Sequence, residues 1–198
     1  MRYLRSMALV LLAALILGAV FFCAPVQAAE WEGTADSAAL RAIYAKAHSP
    51  LPWWTPAAFK ASHPDFDCAA FCAVLQCESS LGTTGGSARY NNPGNIKFKG
   101  WREPDDPKVW LRWMNGSWYC PGQGTYGTFP SMYWGQRAAI RLIYDCGYNA
   151  MLADEDWWGF ANRYYGAGVP GISRYVSNLR TAHDLIVKEA REYGALNW

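Results

Sequence analysis

The feature that constrains this chain most is a break in its pattern. From Thr83 to Pro130 no helical period survives and Gly, Pro, Asn and Trp crowd together, while the segments on either side carry apolar residues at helical spacing. Such an order predicts a mainly α fold with a small β-rich excursion, and chemistry between the two parts. Inside the excursion, Asn115-Gly116 stands between Val109–Trp113 and Trp118-Tyr119, which predicts a hairpin turning at Asn-Gly.

The flanking helices can be placed from caps and stops. Asp36 is expected to cap a helix with Leu40, Ile43, Tyr44 and Ala47 on one face, and Thr55-Pro56 to open a short one. Asp65 is expected to open a third, carrying Phe66, Ala69, Ala70, Ala73, Val74 and Cys77 and stopped by Gly82. Later helices begin at Ser131 and Asp154, stopping near Gly147 and Gly166. The last runs from about Ser173 to Tyr193 with Tyr175, Val176, Leu179, Ala182, Ile186 and Ala190 in register.

At the start, Arg2 and Arg5 precede an uncharged run, Met7 to Ala24, followed by Pro25 and the small-x-small site Val26-Gln27-Ala28. This reads as an export signal over residues 1–28 cleaved after Ala28, with one domain over 29–198 and no membrane attachment afterwards. An uncleaved anchor is the alternative, because the run just reaches spanning length. Without Arg2 and Arg5 the chain holds 16 basic and 16 acidic residues, which argues against nucleic acid as a partner. Export favours disulfides among Cys68, Cys72, Cys77, Cys120 and Cys146, and at least one is expected to tie the Cys68–Cys77 helix to Cys120 or Cys146. His48, His63 and His183 stand outside any ligand spacing, so no metal is expected.

The residue that invites chemistry is Glu78, near the end of the third helix in Glu78-Ser79-Ser80-Leu81-Gly82-Thr83. A helix C-terminus carries partial negative charge, and apolar neighbours disfavour the anion further. Both push a carboxyl pKa upward, as a general acid near neutral pH requires. A dense polar loop follows, Tyr90-Asn91-Asn92-Pro93-Gly94-Asn95-Ile96-Lys97-Phe98. An ordinary exposed Glu near a helix end is the plain alternative.

These motifs, with Phe129-Pro130-Ser131 and Gly135-Gln136-Arg137-Ala138, resemble peptidoglycan hydrolases of lysozyme-like, two-lobed fold over roughly Asp65 to Ile143. Glu-Ser-x-x-Gly-Thr followed by Asn-Asn is most similar to the endo-β-N-acetylglucosaminidase family. The resemblance implies a glycosidase that cuts β-1,4 bonds in peptidoglycan glycan strands, acting as a monomer without a cofactor. Glu78 would be its general acid. Asn91, Asn92 and Asn95 would bind N-acetyl or hydroxyl groups, and Trp101 would contact the sugar from its loop.

Arg163-Tyr164-Tyr165-Gly166-Ala167-Gly168 resembles the Tyr-Asn-Ala-Gly segment of lysozyme-like lytic transglycosylases, with Gly166 where Asn is usual. That match makes Tyr165 the tyrosine whose hydroxyl approaches Glu78, with Tyr164 as the substitute. Val109 to Trp113 holds no acid where the glucosaminidases often carry one, and Glu103, Asp105 and Asp106 among prolines read as a solvated turn. One acid would suffice if the substrate's N-acetyl group serves as nucleophile. A lytic transglycosylase or muramidase, and a catalytically dead wall-binding protein, are the rival readings.

Overall fold

The computed structural model describes residues 34–98 and 108–195. Residues 1–28, expected to be an export signal, and Trp101, Glu103, Asp105 and Asp106 lie outside the described residues. Four helices come first: α1 (Ala35–Lys46), α2 (Trp54–Ser62), α3 (Cys68–Ser79) and the short α4 (Gly85–Arg89). A 3-10 turn (Val109–Trp113) leads into an antiparallel hairpin of β1 (Gly116–Cys120) and β2 (Gly124–Thr128). Helices α5 (Met132–Asp145), α6 (Tyr148–Ala153) and α7 (Trp157–Ala161) follow, then a π-helical turn (Asn162–Gly166) and the long α8 (Ile172–Glu192).

Helix α3 is the axis of the core. Cys68 through Leu75 is buried without interruption, as a helix apolar on all sides must be. Each fully buried Phe, Val or Leu on it contributes about 1.5–3 kcal/mol. Asp67, not Asp65, caps it, accepting from the Ala70 amide at 2.8 Å. Asp65 instead accepts the Tyr144 hydroxyl at 3.1 Å. Helix α8 packs along α3 with the six residues expected from its period, Tyr175, Val176, Leu179, Ala182, Ile186 and Ala190.

Several local expectations are corrected. Helix α2 begins at Trp54, so Thr55 and Pro56 lie inside its first turn. Asp156 rather than Asp154 caps α7, through the Gly159 amide at 2.9 Å. The excursion contains α4, and Val109–Trp113 is a 3-10 turn instead of a strand. The hairpin turns at Pro121-Gly122, not at Asn115-Gly116. The Gln123 amide donates to the Cys120 carbonyl at 3.0 Å, with Pro second and Gly122 third at φ 75°, the requirements of a type II turn. Asn115 closes the open end instead, its amide bonding Thr128 O at 3.0 Å and its side chain accepting from the Thr128 hydroxyl at 2.9 Å.

The polar loop between α4 and the hairpin is tied to both. Ile96 O accepts from Gly127 N at 2.9 Å and Phe98 N donates to Thr125 O at 3.0 Å, so Ile96–Phe98 runs beside β2. On its other side the loop lies against the first turn of α5. A Cβ on Gly135 would stand 1.8 Å from the Asn91 carbonyl oxygen, so only glycine permits this approach.

Among the described residues Cys68, Cys72, Cys77 and Cys120 form no disulfide, against expectation. Cys68 and Cys72 stand four residues apart on one turn-aligned face and point into the core, toward the Pro56 carbonyl and the Tyr44 hydroxyl, each at 3.7 Å. Cys120 stands at the tip of the hairpin, where β1 enters its turn. Helix geometry therefore aims the α3 thiols at other partners. No described helix is long and apolar enough to cross a membrane, and no described cluster of His, Cys, Asp or Glu could hold a metal ion.

Candidate active site

Glu78 occupies the last turn of α3, where the helix leaves the core. The chain then makes three successive left-handed residues, Ser80 (φ 48°), Leu81 (φ 55°) and Gly82 (φ 80°). Two of these are not glycine, and such backbone costs about 1–3 kcal/mol per residue. Buried Ser79 holds the turn. Its hydroxyl donates to the Pro93 carbonyl at 2.8 Å and accepts from the Gly82 amide at 2.9 Å. Ser49 adds a bond to the Leu81 carbonyl at 2.6 Å. The end of α3, its turn and the polar loop are thereby one unit.

Two side chains fix the carboxyl of Glu78. The Tyr175 hydroxyl donates to Oε1 at 2.6 Å, and Asn95 Nδ2 donates to Oε2 at 2.8 Å. Asn95 Nδ2 also meets the Glu78 backbone carbonyl at 2.9 Å, and Asn95 Oδ1 accepts from Ser87 Oγ. Burial raises the Glu78 pKa above the ordinary carboxylate range, opposed by the bonds from Tyr175 and Asn95 and by the Lys97 ammonium. Desolvation is the largest of these effects, so the net direction is that of a proton donor held ready. Tyr175 and Tyr164 are pushed well above the usual phenol range, by burial first and then by the Glu78 charge. Both remain hydroxyl donors. Cys77 is pushed up to about 12 by burial and by Glu78, so it is a protonated thiol beside the acid and not a nucleophile.

Tyr165 does not play the part expected of it. Tyr175, ten residues further on, supplies the hydroxyl to Glu78, and Tyr165 stacks on the Tyr175 ring at 4.7 Å and 15° while remaining 44% exposed. Tyr164 turns the other way and donates to the Gly94 carbonyl at 2.5 Å, bracing the polar loop. Both tyrosines lie on the π-helical turn Asn162–Gly166, a kind of turn frequent at functional sites.

The three asparagines divide their roles. Asn95 belongs to the acid, held at φ 49°. Asn92 is 1% exposed and spends its side chain on the fold: Oδ1 accepts from Ile96 N at 2.9 Å, and Nδ2 donates to Ile96 O at 3.0 Å and Gly127 O at 2.9 Å. Asn91 donates to the Phe129 carbonyl at 3.0 Å. Asn91 and Asn92 thus fasten the loop to the hairpin and do not offer these groups to a sugar. Lys97 lies over the Tyr126 ring at 3.8 Å and donates to the Gln123 carbonyl, linking the site to the hairpin turn.

Sequence reading missed Tyr175 as a site residue. The available signal was a phenol on an otherwise aliphatic buried face of α8, which obliges it to find a polar partner inside. No family model, no curated protein and no solved structure matches this chain.

Proposed function

We propose that this chain is an exported glycosidase of lysozyme-like, two-lobed arrangement that cleaves β-1,4 bonds in peptidoglycan glycan strands. Its first expected activity is that of an endo-β-N-acetylglucosaminidase. The observation that carries this reading is the Glu78 carboxyl, desolvated at a helix end and held between Tyr175 and Asn95. Glu78 protonates the leaving glycosidic oxygen, and burial keeps the proton on it toward neutral pH. Tyr175 and Asn95 orient the acid and stabilise the carboxylate left after proton transfer. The groups described around Glu78 are tyrosine hydroxyls, an amide and an ammonium, which favours two one-acid routes. In one the substrate's N-acetyl group serves as nucleophile; the other is lytic transglycosylation or muramidase action.

Mass spectrometry of digested sacculi tests the reading. New reducing N-acetylglucosamine ends support the glucosaminidase, while reducing or anhydro-muramic ends identify the other two activities. Glu78→Gln keeps the shape but removes the proton, and is expected to lower cleavage by ~10²–10⁴-fold. No products from the unaltered chain would leave a wall-binding protein.

A further inference from the structure

We propose that the face formed by Trp54, Trp113, Tyr133, Trp134 and Arg137 is a second saccharide-binding subsite, selective for sugars that carry a carboxylate. The sugar's identity rests on the reading of the chain as a peptidoglycan hydrolase; the subsite itself rests on its own geometry. Arg137 sits in the second turn of α5, ringed by Trp113 at 5.1 Å, Tyr133 at 5.4 Å and Trp134 at 5.4 Å. Its Nη1 donates to the Tyr133 hydroxyl at 2.9 Å. No described carboxylate pairs with it, whereas Arg141, one turn later, pairs with Asp145 at 2.9 Å. A half-buried guanidinium with no carboxylate among the described residues leaves most of its five donors open to a ligand.

The rings extend this into a cluster of tilted faces, inclined to one another by 35° to 65°. Trp54 meets Tyr133 at 5.5 Å, Tyr133 meets Trp134 at 5.2 Å, and Trp134 meets Trp113 at 5.2 Å. All four are half-buried, unlike Trp110 and Trp157, which are core residues. Flat ring faces suit the C–H faces of pyranoses, and a planar guanidinium takes a carboxylate through two parallel bonds. Together they define an acidic saccharide as the ligand. A chain of near-balanced charge has little long-range pull on an anionic polymer, so recognition must be local, as here. The close approach of Gly135 to Asn91 sets the helix that carries Arg137 against the loop that carries Asn95.

The carboxylate has two sources in wall material, the lactyl group of muramic acid and the stem peptide. Calorimetry on the full chain carrying Glu78→Gln, with N-acetylmuramic acid, N-acetylglucosamine and a free stem tetrapeptide as probes, separates them. The expected result is that Arg137→Gln weakens the carboxylate probe at least tenfold and leaves N-acetylglucosamine unchanged, with Arg137→Lys restoring only part. Dependence on Arg137 for the peptide alone would assign the carboxylate to the stem and overturn the saccharide subsite. The same probes with the carboxyl reduced to an alcohol, bound to the chain that retains Arg137, must lose the same factor; this arm needs no variant at 137 to fold. Equal affinity for acid and alcohol would overturn the proposal. Because binding is read without turnover, failure to cut glycan and failure to discriminate the carboxylate are separate outcomes.

Discussion

The hydroxyl of Tyr175 meets Oε1 of Glu78 at 2.6 Å, joining the first turn of α8 to the last turn of α3. The two helices pack along each other, so the acid is oriented by the largest helix pair of the core and not by a loop. The bond favours the carboxylate and partly offsets desolvation. Tyr175→Phe is therefore expected to raise the Glu78 pKa further and to move the alkaline limb of the pH–rate profile upward. The maximal rate should fall about tenfold as the acid loses its orientation. Tyr165→Phe, which keeps the stacked ring, should leave that limb in place. A profile unmoved by Tyr175→Phe would remove the tyrosine from the acid's environment.

Neighbouring asparagines should separate stability from rate. Asn92→Ala removes the acceptor of the Ile96 amide and a donor to the Gly127 carbonyl in a buried site, while the Ile96 carbonyl keeps the Gly127 amide; the expected loss is roughly 2–4 kcal/mol of stability. The folded fraction should keep its turnover. Asn95→Ala, at φ 49° and bonded to Ser87 and Glu78, should lose stability too, but its folded fraction should also lose about 10–100-fold in rate, because Glu78 gains rotational freedom. Denaturant titration beside initial rates checks both, and the opposite pattern would exchange the roles assigned here.

What the sequence made legible followed from period and from helix ends. The buried face of α8 and the acid at the end of α3 were readable because 3.6-residue spacing and a desolvated helix terminus depend on local sequence. The partner of Glu78 was not readable, because Tyr175 reaches it across 97 residues and local rules carry no information on such pairing. The Asn115-Gly116 signal misled for a related reason. Pro121-Gly122 offered a competing turn, and pairing of Trp118 with Tyr126 on β2 placed the hairpin beyond Asn115. The thiols misled because export makes disulfides common but cannot aim them.

Those thiols give a direct test. With no disulfide on α3 or at the hairpin tip, reductant should leave the thermal midpoint unchanged, whereas losing a native bridge typically costs 2–5 kcal/mol. Thiol titration of the denatured chain lacking residues 1–28 should count all five. A reductant-dependent midpoint together with a lower count would show a bridge and a different packing of α3.

The raised pKa of Glu78 also predicts a dependence of stability on pH, and the sign is the reverse of a salt-bridged carboxylate. A carboxyl whose folded pKa lies above its unfolded value binds its proton more tightly when folded. Through the window between the two values the folded chain holds more protons, so stability is lost as pH rises from about 4 through the folded pKa, and stays lower beyond it. Gln at this position does not titrate, and it can accept from Asn95 through its oxygen while its amide donates to the Tyr175 oxygen. Glu78→Gln is therefore expected to match the unaltered chain near pH 4 and to be more stable at pH 8, each kcal/mol appearing as ~2–4 °C in the thermal midpoint. The same substitution should lower cleavage by ~10²–10⁴-fold, so stability and activity move in opposite directions at one residue, as when a site retains a strained group for its chemistry. Melting curves of both chains from pH 4 to pH 8 supply the measurement. A difference that does not grow with pH would mean that Glu78 ionises like an ordinary exposed carboxylate, and the case for it as the proton donor would be lost.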